Sequence, residues 1–100
     1  MFHCVILFRL KPGIALERVR GARVALQSLV ETMPGVAHLT VTHNLAAERQ
    51  GFNLALFSLF ETRNACEIFF RHPEYQRVWE TELAPVIEHH VMAQGEGDAH

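Results

Sequence analysis

The sequence predicts an α+β domain of the ferredoxin-like kind: a split β-α-β arrangement with a four-stranded antiparallel sheet and helices on one face. Three observations carry this. Two short segments are apolar on both strand faces, a long amphipathic helix follows the first of them, and Pro/Gly punctuation orders the rest as strand, strand, broken helix, strand.

The first strand is the run 2–10 (FHCVILFRL), stopped by Lys11-Pro12-Gly13. Alternation puts Val5 and Leu7 on one face and Cys4, Ile6, Phe8 and Leu10 on the other, so both faces need cover. From Ile14 to Met33, Leu16, Val19, Ala22, Leu26, Leu29, Val30 and Met33 recur at three and four, the spacing of an amphipathic helix, and Pro34-Gly35 ends it. Residues 36–43 (VAHLTVTH) alternate, with Ala37, Leu39 and Val41 on the drier side and His38, Thr40 and Thr42 on the more polar one. After the loop Asn44–Gly51, the run 52–60 (FNLALFSLF) is again apolar on both faces: Leu54, Leu56, Ser58 and Phe60 against Ala55, Phe57 and Leu59. Thr62 is a suitable N-cap for a helix to about Arg71. His72-Pro73 breaks the chain and restarts it as a helix carrying Tyr75, Val78, Trp79, Leu83 and Val86, with Pro85 near its end. A short last strand is expected over 88–93, and the polar residues 94–100 are expected to be a disordered tail, so that 1–93 is the single domain.

Helices on one face leave the other open, and that face would carry Val5, Leu7, Ala55, Phe57, Leu59 and Val91. Such a patch is too apolar to stay wet, and closed two-fold association is the commonest way to cover it. A sheet-to-sheet homodimer is therefore expected. Composition agrees, with 49% hydrophobic residues but only 20% charged ones in 100 residues. A chain of this length buries only about two-thirds of its unfolded surface alone.

The net charge of −2, with Lys11 the only lysine, offers no basic field for nucleic acid. Nothing in the sequence approaches the apolar length of a membrane span, and the N-terminus has no signal-peptide pattern, so a cytoplasmic protein without membrane partners is expected. Cys4 and Cys66 lie in apolar runs and read as buried thiols of a reducing compartment.

Three stretches resemble the stress-responsive dimeric α/β-barrel (Dabb) family: Leu7 to Gly13 closing the first strand, the Met33-Pro34-Gly35-Val36 turn, and Gly51-Phe52-Asn53 leading through Phe60-Glu61-Thr62 to His72-Pro73-Glu74. The resemblance covers nearly the whole chain and implies a homodimer with a barrel-like core between two sheets. It also brings a comparison with a plant polyketide cyclase of that fold, which uses histidines and a tyrosine. Its first-strand histidine falls here on Cys4, its third-strand histidine on Leu54, its helix tyrosine on Phe69, and its later histidine on Tyr75. None of those acid–base groups is kept, so cyclase chemistry of that kind is not expected.

Two functional classes remain. In one, a small hydrophobic molecule sits between sheet and helices in a pocket lined by Cys4, Ile6, Phe8, Leu54, Leu56, Phe69, Tyr75 and Trp79, either simply bound or turned over as by a cyclase, lyase or monooxygenase-like enzyme. In the other, the same residues are core and the domain is a structural dimer. For catalysis the candidates are Tyr75 and His72, the groups able to exchange a proton there. Cys4 has no cationic neighbour in sequence to activate it. His89 and His90 face opposite sides of a strand, His38 and His43 differ in parity, and no ligand-box spacing occurs, so neither metal nor cofactor is expected.

Overall fold

The computed structural model describes residues 1–97. Strand β1 (Phe2–Leu10) leads to helix α1 (Leu16–Ser28), which runs on as a 3₁₀ turn at Leu29–Glu31. Then come β2 (Val36–His43), β3 (Leu54–Phe60), α2 (Arg63–Arg71), α3 (Pro73–Val78) with a π turn at Trp79–Leu83, and β4 (Ile87–Glu96). The sheet order is β2-β3-β1-β4 with every neighbouring pair antiparallel. This is the ferredoxin-like α+β architecture expected from the strand and helix periods.

The two doubly apolar strands occupy the centre of the sheet, where Ile6 pairs with Leu56 and Phe8 with Leu54. All helices pack on the even-numbered side of β1. There Cys4, Ile6 and Phe8 join Leu54, Leu56 and Phe60 from β3, Val19, Ala22 and Leu26 from α1, and Cys66, Phe69, Tyr75 and Val78 from α2 and α3 in one buried core. The shortest dimension of the domain, 17 Å, leaves room for one helix layer on one sheet and no third layer.

The punctuation works through specific contacts. Gly35 sits at φ +84°, and a Cβ there would lie 2.8 Å from the Ala65 Cβ, so the turn into β2 needs both the left-handed backbone and the missing side chain. The Thr62 hydroxyl accepts the Ala65 N–H at 3.0 Å and caps α2. His72 leaves the helical region at ψ 138° before Pro73, and its Nδ1 accepts the Glu74 N–H at 3.1 Å, capping α3. The last turn widens so that the Ala84 N–H reaches the Trp79 carbonyl at 2.7 Å, and Pro85, without an N–H, follows it.

Three sequence expectations are revised. The polar tail begins later than expected, because β4 continues through Gln94, Gly95 and Glu96, paired with Cys4, His3 and Phe2, and the Gly97 N–H reaches the Met1 carbonyl at 3.1 Å. Backbone groups along the free edge of β1 are satisfied by any extended partner, whatever its side-chain polarity. Residues 98–100 of the expected tail lie outside the described residues. Ala37 is exposed rather than facing the core, since the register of β2 shifts between Val36 and His38. Leu16, read as core-facing, opens α1 at 76% exposure.

Candidate functional site

Strand parity sends Cys4, Ile6, Phe8, Leu54 and Leu56 to the helix side, and α2 lays Phe69 over them. All eight residues expected to line a pocket do converge there, but the space between them is filled. Each of these six side chains is at most 1% exposed, and a side chain that no water-sized sphere can touch borders no cavity large enough for water. Tyr75 is buried and Trp79 half-buried at the rim. The gap is closed by rings: Phe69 and Phe70 pack edge to face at 5.0 Å, and Tyr75 sits 4.9 Å from Phe70 and 5.5 Å from Phe69. In this structure the expected pocket is core.

The proton-exchanging candidates are constrained in turn. Burial raises the Tyr75 phenol to about 12, with the neighbouring Cys4 thiol adding to the effect. At neutral pH that phenol is a hydrogen-bond donor and no base. His72 is taken up as a cap, its Nδ1 occupied by a backbone N–H, so any proton on the neutral ring is on Nε2. The Cys66 thiol is raised to about 12 by burial first and by Cys4 second. Cys4 is also raised by burial, partly offset by the Gln94 side-chain amide. Both thiols therefore stay protonated, which removes a nucleophilic role.

Gln94 is a residue that sequence reasoning placed in the tail. Its Nε2 lies 3.7 Å from Cys4 Sγ, 3.9 Å from Cys66 Sγ and 3.2 Å from Met92 Sδ. The signal was present in the strand alternation of His90, Met92 and Gln94, which pair with Phe8, Ile6 and Cys4 and share their side of the sheet. Gly95 and Gly97 masked it.

The opposite side of the sheet is open. Phe57 and Val91 stand 46% and 43% exposed, with Val5, Leu7 and Leu59 partly exposed around them. Ala55, expected on this face as a contact residue, is already covered within the single chain at 1% exposure, because its lone methyl is screened by larger neighbours. His3, Val5, His38, Phe57, Ser58 and Leu59 surround a hollow of about 240 Å³ on this face. His38 Nε2 is 2.9 Å from the Thr40 hydroxyl. Two further concavities, of about 170 and 310 Å³, meet at His43 on the far edge beside Arg20, Arg23 and Arg49. Among the described residues no three His, Cys, Asp or Glu side chains cluster as metal ligands, and no helix is long and apolar enough to cross a membrane.

Comparison with known proteins agrees with this geometry. The model of the stress responsive A/B barrel (Dabb) domain matches residues 2–94. Among curated proteins none matches in sequence. Solved structures do: an Arabidopsis thaliana protein at TM-score 0.87 and 17% identity, covering 99% of this chain and 97% of that one. A hydroxynitrile lyase from Passiflora edulis matches at TM-score 0.86 and 16% identity, over 99% and 94%. A dimeric ferredoxin-like protein of unknown function from Thermobifida fusca matches at 0.80 and 17%, over 94% and 88%. At such identities the likeness is one of fold.

Proposed function

Since this chain belongs to the stress responsive A/B barrel (Dabb) family, we propose that it works as a homodimer joined through the open faces of its two sheets, and that the hollow on that face holds a small, largely apolar molecule. The observation that carries the reading is the uncovered apolar face, on which Phe57 of the central strand β3 and Val91 of the edge strand β4 stand well exposed. An exposed phenylalanine and valine flanked by Val5, Leu7 and Leu59 form a contiguous apolar surface, and a second copy offers the same surface in return. The dimeric state of the Thermobifida fusca neighbour supports a dimer.

Closure by a partner would turn the hollow beside Phe57 and Leu59 into an enclosed chamber, walled by apolar side chains and carrying two imidazoles, His3 and His38. Enclosure with few polar groups is the usual character of a small-molecule site. The helix side lacks that space, which favours a ligand between the sheets over one under the helices. The hydroxynitrile lyase among the structural neighbours keeps an enzymatic use of the fold in view. In this chain the buried Tyr75 and the capping His72 provide no free base for such a step.

Anilinonaphthalene sulfonate, a small and largely apolar probe, should bind saturably to the dimer. Leu59→Trp, which fills the hollow, should abolish that binding. Probe binding unchanged in Leu59→Trp would overturn the chamber, and a monomeric wild-type protein would overturn the dimer.

A further inference from the structure

We propose that Cys4, Cys66 and Met92 form a binding site for a soft monovalent metal ion, copper(I). The three sulfurs come from three different elements, β1, α2 and β4, and converge on one point. That point is marked by a single atom, Gln94 Nε2, which lies 3.2 Å from the thioether and 3.7 and 3.9 Å from the two thiols. The two N–H donors of this amide thus have three weak sulfur acceptors around them to choose from.

The donor set selects the ion. Thiolate and thioether are soft ligands that favour copper(I), whereas structural zinc takes four ligands from Cys, His, Asp and Glu. No such third group joins the two cysteines among the described residues. Access is short, since Met92 and Gln94 lie on an exposed stretch of β4 while both thiols are buried directly beneath. Swinging two exposed side chains aside opens the site without disturbing the helix layer. The sulfurs must then contract toward the ion, to about 2.3 Å if its thiolate bonds match those of zinc. The three rotatable bonds of Met92 make that movement easy.

Binding is proton exchange with no change of oxidation state. Two S–H bonds break, two S–Cu bonds form, the copper stays at +1, and two protons leave to solvent. The thiolate, not the thiol, is the ligating form, so capture should strengthen as pH rises. The Gln94 amide can then donate to thiolate sulfur, the kind of outer contact that orients metal ligands. The site does not depend on how the two sheets associate.

The test is an anaerobic titration of the reduced protein with copper(I) against the chelator bicinchoninate, followed by chelator absorbance, near-ultraviolet thiolate-to-copper absorption and proton release. Removal of one ion per chain from the chelator is expected, with two protons released near neutral pH. Cys66→Ala should abolish it, and Met92→Leu, on the exposed strand, should weaken it about tenfold with the circular dichroism spectrum unchanged. Failure of the wild-type protein to compete with the chelator would overturn the site. So would capture that is undiminished in Met92→Leu, or zinc held as tightly and in the same ratio.

Discussion

The two sides of the sheet are made from the same strands yet reach opposite states. On the helix side Cys4, Ile6, Phe8, Leu54, Leu56 and Phe60 are sealed from water, while one residue along each strand Val5, Leu7, Phe57 and Leu59 are left open. Alternation assigns side chains to sides, but cover comes from what the chain can bring. The α1, α2 and α3 layer supplies it on one side, and nothing among the described residues supplies it on the other. The comparison also relocates the functional question, because the side expected to hold a pocket is filled and the side expected only to dimerise carries the hollow.

The largest difference should appear when one ring is removed from each side. Phe60→Ala, which removes the ring packed against both Phe69 and Phe70, should cost about 3–5 kcal/mol in urea unfolding. Phe57→Ala should show its cost mainly as a shift of the unfolding midpoint with protein concentration. Equal, concentration-independent losses would mean that the two sides do not differ as described. Gly35→Ala strikes the turn that delivers β2 to the sheet, and the clash with Ala65 combined with φ +84° should cost about 2–4 kcal/mol by the same measurement.

Alkaline pH should act on the helix side alone. The folded-state values of Cys4, Cys66 and Tyr75 are all raised above the ordinary 9.0 and 10.0 of these groups, to about 12 for Cys66 and Tyr75. Groups with raised values contribute stability that is fully present below the unfolded value and lost as pH climbs toward the folded one. Unfolding midpoints should therefore hold up to about pH 9 and fall between there and about pH 12. A midpoint that is flat across that window would contradict the burial of these groups. Smallest of the set, Thr62→Ala should cost about 1 kcal/mol by removing the cap on α2.

Much of the fold was legible because each boundary has a local cause. Pro34-Gly35 needs its positive φ, Thr62 its cap bond and His72-Pro73 its extended break, and all of these are properties of residues a few positions apart. What escaped depends on partners distant in sequence. The shift at Ala37 is set by pairing with β3, and the extension of β4 to Glu96 by the free edge of β1. For the site, parity gave the side on which Cys4, Phe8, Leu54 and Phe69 lie, but a face assignment carries no volume. Only the packing of Phe69, Phe70 and Tyr75 decides that the space is full. Gln94 was missed for the same reason, since its importance lies in reaching two thiols that belong to other elements.

The central claim is that the open face is where a second copy binds, and sedimentation velocity at micromolar concentration tests it most directly. The wild-type protein should sediment as a dimer and Phe57→Glu as a monomer, since an unpaired carboxylate buried between two apolar sheets is costly. Ile68→Glu provides the control, because Ile68 is equally apolar and 53% exposed but lies on α2, on the far side of the molecule. It should leave the dimer unchanged. A monomeric wild-type protein, a dimer that survives Phe57→Glu, or a dimer lost only in Ile68→Glu would contradict the account.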